Sequence, residues 1–322
     1  MTGDATLDTS AGPASRVKTS LPELVRHVAA DYRLGGVSDW SVLDTGYEDC
    51  NLDVRSGQGR VVVKVFAAGR SAAIPARTAD LILRAQACGV RHPALHRDSD
   101  GGYVHSRDGH WLLVMDHAPG QTFYEMGRPP TEDELSRVLE QAARIHRIEA
   151  QPDPVFDPWA IANLIPLAGQ VGHLLDDEQR TLVDGAIGAL DQVSWDELPH
   201  ALIHADLTAG NVLLGPDGEI TVLDFALANR WPRLQELAVI AASLMHGAPG
   251  TLPERMDDVA ARYSAVAAYP LTADERAALG SFGRWAAAME LLGGLNMWLH
   301  GARGPETDLL VAIGTAGLRD YA

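Results

Sequence analysis

Between residues 204 and 225 the chain places His204, Asp206, Asn211 and Asp224 in one short stretch. The apolar runs at 211–214 and 219–223 flank Gly215, Pro216, Asp217 and Gly218, the composition of a tight hairpin turn. Folding that hairpin brings Asn211 and Asp224 together, with Asp206 in the loop just ahead. A carboxylate, an amide and a second carboxylate then share a small volume. Such a set suits phosphoryl transfer, which asks the protein for hard oxygen ligands to Mg2+ and a group that orients an acceptor hydroxyl. In that reading Asn211 and Asp224 hold the metal, Asp206 accepts or orients the hydroxyl proton, and His204 supports Asp206. On spacing alone, His204 and Asp206 also fit a buried polar pair or two ligands of a metal hydrolase.

The elements needed to position these groups can be read on either side. Leu21, Leu24, Val25, Val28 and Ala29 form one helical stripe, and three strands follow over about 40–66. Lys64 sits among Val61, Val62, Val63, Val65 and Phe66, so it must meet an anion or reach water. A helix is expected over 76–88, stopping at Gly89, and a hairpin over 101–115. Beyond Pro119 and Gly120 the pattern turns helical, with capping boxes at Thr131 to Glu134 and Thr272 to Glu275. A further apolar helix is read over 234–244. The stripe Trp285, Glu290, Trp298 and His300 lines a pocket in one reading and belongs to the core in the other.

The order His204-x-Asp206, Asn211, Asp224-Phe225 resembles the catalytic and metal loops of the protein-kinase-like superfamily, with Ala226 where protein kinases have glycine. The single-glycine turn from Gly46 to Asn51 is similar to that of aminoglycoside phosphotransferases and homoserine kinases, and the chain looks like a member of that family. The resemblance implies an α+β, bilobal, protein-kinase-like fold. It would comprise a flexible tail over 1–20, a small N-lobe with an antiparallel sheet over 21–116 and a larger, mainly helical C-lobe over 117–322. It also implies Mg2+ with ATP or GTP as co-substrate, the nucleotide meeting Lys64, Gly46, Asn51 and backbone groups near Asp116 and Ala118. In such folds a helix glutamate pairs with the strand lysine. Here no Glu lies between Arg70 and His110, and Asp80 is the nearest candidate. Glu236 matches the family's Asp-Leu-Ala and is expected to anchor the catalytic loop. Thr208 stands where Ser/Thr protein kinases carry lysine, and only 226–233 separates the metal loop from the next helix, so a small molecule is a better acceptor than a peptide. The acceptor hydroxyl is expected on an antibiotic or related natural product. The alternatives are a metabolic kinase of homoserine, an amino alcohol or a sugar, and a non-catalytic kinase-like binding module.

With 43 acidic against 26 basic residues the formal charge is −17, which argues against nucleic acid or an anionic membrane as a partner. Hydrophobic residues at 46% and charged residues at 21% describe a globular chain, and no apolar run approaches the length of a membrane helix. Two cysteines, Cys50 and Cys88, suggest neither a disulfide framework nor a zinc site, and a reducing cytoplasm is the expected compartment.

Overall fold

Val61, Val63 and Val65 alternate with Val62, Lys64 and Phe66, as a strand covered on both faces requires. The computed structural model, which describes residues 17–43, 49–68, 70–155 and 159–322, has a strand there. The chain divides into two compact units, Met1–Arg84 with His92–Pro119 and Ala85–Arg91 with Gly120–Ala322. The architecture is mixed, with an antiparallel sheet in the N-terminal part and a largely helical C-terminal part.

In the first unit, α1 (Leu21–Asp31) precedes β1 (Val37–Leu43), β2 (Cys50–Ser56) and β3 (Gly59–Val65). Helix α2 (Ala73–Ala87) and strands β4 (Val104–Arg107) and β5 (His110–Asp116) complete it, and the antiparallel sheet has the order β1-β2-β3-β5-β4. One sheet face packs Leu52, Val54, Val61, Val63, Val65, Leu112 and Val114 against Leu24, Val25 and Val28 of α1. The other packs Phe66 and Leu113 against Ala79 of α2. Period-2 alternation puts Lys64 on this second face. Most of the tail expected over 1–20 lies outside the described residues; at its end the Lys18 N–H donates to His110 Nε2 at 3.0 Å and Val17 packs on the first core.

The second unit begins with β6 (Gln121–Thr122), α3 (Phe123–Met126) and α4 (Glu132–Ile145), followed by α5 (Leu164–Val171) and α6 (Asp177–Leu190). Strand β7 (His200–Ile203) pairs with β10 (Asn229–Pro232), and β8 (Val212–Leu214) pairs with β6 and with β9 (Ile220–Val222). Strand β10 was not apparent in the sequence, where 226–233 reads as a bare connection. The helix read over 234–244 is α7 (Leu234–Val239) running into a π-helical turn over Ile240–Leu244. Then come α8 (Leu252–Val266), the 27-residue α9 (Ala273–Leu299) and α10 (Pro305–Arg319). Among the described residues no helix is long and apolar enough to cross a membrane.

Helix α9 is the axis of this unit, with α5, α6, α7, α8 and α10 packed on it. Glycines make the approach possible: a Cβ on Gly314 of α10 would strike the backbone of α9 at Ala287 and Leu291. Trp285 belongs to this core and not to a pocket. It is fully buried and stacks on Trp195 with ring centroids 4.5 Å apart, and its Nε1–H donates to Ala186 O. The first turn of α9 is fixed by Arg233, whose guanidinium forks onto the buried carboxylate of Glu275 at 2.6 and 2.8 Å. The same guanidinium donates to Tyr269 O and Pro270 O, so one cation ties the start of α7 to the loop before α9.

Removing Glu275 leaves that cation buried without its carboxylate. Glu275→Ala is expected to lose about 3–5 kcal/mol in denaturant unfolding. A loss under about 1 kcal/mol would mean that the backbone carbonyls and the Tyr263 hydroxyl satisfy Arg233.

Candidate functional site

The loop after β7 has an unusual backbone. Ala205 has φ 68° and Asp224, at the end of the hairpin, has φ 59°, both in the left-handed region that side chains other than Gly, Asn and Asp seldom enter. Ala205 is held there by Glu236 of α7. The Glu236 carboxylate accepts the N–H of His204 at 2.9 Å and of Ala205 at 2.8 Å. Glu236 is fully buried, and that burial raises its carboxyl pKa to about 7 although both N–H donors favour the charged form.

His204 ties the two loops together. Its Nε2 lies 2.9 Å from Leu223 O, and the Asp206 N–H donates to its Nδ1 at 3.3 Å, which fixes the tautomer with the proton on Nε2. The ring is buried and meets Phe225 edge-on at 4.7 Å. It is a strut between the two loops. The hairpin closes the arrangement, with the Leu223 N–H donating to Asn211 O at 2.8 Å.

Asp206 and Asn211 come together as their spacing suggests. Asn211 Nδ2 donates to Asp206 Oδ2 at 2.6 Å and to Asp206 O at 3.1 Å. With the amide nitrogen committed, Asn211 Oδ1 is turned away from Asp206 as an acceptor. Burial and then the charge of Asp224 raise the Asp206 pKa to about 7, with Glu290 of α9 adding to the rise, while Thr208 and Asn211 oppose it by hydrogen bonding. Thr208, legible in the sequence only as a missing lysine, is thus a partner of the carboxylate. Asp224 itself accepts the Ala226 N–H at 3.1 Å.

Two neighbouring carboxylates and an amide oxygen are the donor set that Mg2+ takes from proteins when phosphate oxygens and water supply the rest of its octahedron. Among the described residues no three His, Cys, Asp or Glu side chains gather as a closed metal cage. The residues therefore fit an open Mg2+ site held by Asn211 and Asp224.

In the first unit the expectations are partly revised. Lys64 Nζ lies 3.3 Å from Asp49 Oδ2, both side chains being buried, and the Ala67 N–H donates to Asp49 Oδ1 at 3.1 Å. Asp80 is not the partner of Lys64: it sits on the exposed side of α2 and binds Arg84 at 2.7 Å, one turn along the same helix. Asp49 escaped notice because it precedes a strand, whereas the resemblance pointed to a helix. Asn51 lies within β2, directly opposite Lys64 on β3. Gly46 lies outside the described residues. The Asp116 N–H is taken by Ala94 O and the His117 N–H by Arg60 O, so of the two positions expected near a purine only Ala118 keeps an N–H without a partner among the described residues. The Asp116 carboxylate pairs with His96 at 2.7 Å.

Of the stripe on α9, Trp298 donates to Thr307 Oγ1 under the guanidinium of Arg303, and His300 Nδ1 is bound to Asn296 O. Glu290 alone of the four exerts its charge on Asp206.

A profile described as the phosphotransferase enzyme family matches residues 39–277. The chain is 26% identical over 271 residues to a homoserine kinase of Methylobacillus flagellatus, covering 82% of each protein. Its fold superposes on an aminopropanol kinase associated with a microcompartment with a TM-score of 0.71 at 18% identity, covering 92% of this chain and 95% of the other. It superposes on an amicoumacin kinase in complex with AMP-PNP and Ca2+ with a TM-score of 0.66 at 16% identity, covering 96% and 95%. At these identities the two solved structures speak for the fold.

Asp206, Glu236 and Glu290 all bind their protons more tightly folded than unfolded, their pKa values being raised to about 7. Their contribution to stability is therefore complete below the ordinary carboxylate range and is lost as pH rises through about 7. The metal-free protein is expected to melt lower at about pH 8 than at about pH 5 on this account, and Mg2+ to raise Tm more at the higher pH, where Asp206 beside the metal position is charged. Thermal melts at both pH values with and without Mg2+ decide it. No rise at either pH contradicts a cation site at Asp224, and an equal rise at both contradicts the coupling to Asp206.

Proposed function

We propose that this chain, which belongs to the phosphotransferase enzyme family, transfers the γ-phosphoryl group of ATP or GTP to a hydroxyl of a small molecule. The observation that carries the reading is the 2.6 Å bond from Asn211 to Asp206 beside the charge of Asp224. A binding module has no use for three such groups at such electrostatic cost. Asp206 receives or orients the acceptor's hydroxyl proton, and a carboxyl with its pKa near neutrality is matched to that task. Asn211 holds Asp206 with its amide nitrogen and offers Oδ1 to Mg2+, with Asp224 as the second ligand. The metal, when bound, screens the phosphate charge that otherwise repels an incoming oxygen. Glu236 and His204 hold the loop. Lys64, steadied by Asp49, is assigned to the nucleotide phosphates, and the Ala118 N–H to the base.

For the acceptor, the homoserine kinase relative, matched along most of both chains, supports a small amino alcohol or hydroxy amino acid. An antibiotic or related natural product is the second reading. It is supported by Tyr124, which is 53% exposed although its N–H is bound to Ala209 O of the catalytic loop, leaving an open aromatic face where a larger acceptor can rest.

Two measurements test the reaction. Asp206→Ala is expected to lower kcat by about 100-fold or more with nucleotide affinity nearly intact, because it removes no metal ligand. Asp224→Ala is expected instead to abolish Mg2+-dependent nucleotide binding in calorimetry. Equal effects of the two on nucleotide binding would refute the division of roles. The acceptor is tested by phosphorylation of homoserine, amino alcohols and a panel of aminoglycoside, peptide and nucleoside antibiotics, together with growth of a sensitive bacterium expressing the protein. Turnover of homoserine without growth protection selects the metabolic reading, and protection selects the other.

A further inference from the structure

Two residues at the head of β5 hold the connection that follows β3. The Phe66 N–H donates to Trp111 O at 3.0 Å, and at the far end of the connection Trp111 Nε1–H donates to Arg70 O at 3.2 Å. His110 Nδ1 lies 3.2 Å from Phe66 O. A carbonyl can only accept, so the ring proton sits on Nδ1, and the bare Nε2 accepts the Lys18 N–H at 3.0 Å. His110 is 1% exposed, and its one proton and one lone pair are both in use. An apolar ring would fill the same space; what the imidazole adds is direction.

That direction matters because of what shares a peptide group with Phe66 O. The Phe66 carbonyl and the Ala67 N–H belong to one planar trans unit and point opposite ways. Holding the oxygen on His110 therefore aims the N–H away from it, and that N–H donates to Asp49 Oδ1 at 3.1 Å. The other oxygen of Asp49 faces Lys64 Nζ at 3.3 Å. The Phe66 ring lies under the same ammonium, with its centroid 5.6 Å away. Lys64 is thus located by a carboxylate and a ring, both set by the peptide that His110 grips, and Asp49, Lys64 and Phe66 are all buried.

We propose that His110 is a positioning residue for the contact between Lys64 and the nucleotide phosphates, acting through the 66–67 peptide on Asp49, and that the backbone of Lys18 completes it. The proposal rests on the phosphotransferase reading, which assigns Lys64 to the phosphates. It adds a determinant of nucleotide affinity in the turn between β4 and β5 and in the segment before α1. His110 acts at one remove: without it the peptide can turn, Asp49 loses its N–H, and Lys64 keeps its charge but not its place.

Calorimetry with AMP-PNP and Mg2+ tests this. His110→Ala is expected to weaken binding by about 10-fold, the scale of a lost hydrogen bond to a charged group. His110→Asn keeps a donor for Phe66 O and should recover most of that loss, and Lys18→Pro, which removes only an N–H, should lose about 2- to 5-fold. Val54→Ala, in the core on the face of the sheet opposite Lys64, controls for stability alone, and is expected to lower Tm with AMP-PNP affinity unchanged. If His110→Ala fails to fold, His110→Asn and Lys18→Pro still read the two bonds separately. Full affinity in folded His110→Ala, a loss that His110→Asn does not recover, or an equal loss in Val54→Ala overturns the proposal and leaves the kinase reading intact. Wild-type affinity in Lys18→Pro overturns the part given to the segment before α1. A wild-type protein that binds no AMP-PNP with Mg2+ overturns the kinase reading and the proposal with it.

Discussion

A single buried carboxylate sets the geometry on which the loop after β7 depends. Glu236 receives two consecutive backbone N–H groups, from His204 and Ala205, and so pins the loop to α7. Without that grip Ala205 would have little reason to remain at a positive φ, where its Cβ crowds its own backbone. The grip rotates the next peptide so that the Asp206 N–H meets His204 Nδ1 and its side chain meets Asn211. Strain in one residue is thus exchanged for the aim of another.

The same economy appears at the other end of the hairpin. Leu223 O receives His204 Nε2, and the next residue, Asp224, turns to a positive φ that Asp tolerates better than most side chains. One imidazole therefore sets the spacing between the Asp206 and Asp224 carboxylates. Their charges oppose each other when no cation is present, and that opposition is part of what raises Asp206. The loops are held together from behind by neutral hydrogen bonds while the groups in front repel.

The sequence disclosed those parts of the molecule that rest on local pattern. The hairpin between Asn211 and Asp224 follows from a Gly-Pro-Asp-Gly turn between β-branched runs, and the long α9 follows from its Thr272–Glu275 capping box. What stayed hidden depends on contacts distant in the chain. Trp285 fits a pocket and a core equally well until Trp195, 90 positions earlier, is seen stacked on it. Asp49 is an unremarked loop carboxylate until β2 and β3 come into register beside it. Strand β10 has a Trp-Pro sequence that gives little strand signal, and it pairs because β7 needs a neighbour. The π-helical turn at Ser243 has no sequence signature at all.

The position of Asp49 bears on control as well as on chemistry. In a kinase whose strand lysine is paired by a helix, swinging that helix outward breaks the pair and switches the enzyme off. Here the pairing carboxylate comes one residue before β2, and the lysine lies on β3, its hydrogen-bonded neighbour in the same sheet. The Lys64–Asp49 contact is settled when the sheet acquires its register, and displacing α2 does not undo it. The pair is thus a product of strand register, in place as soon as the sheet has folded.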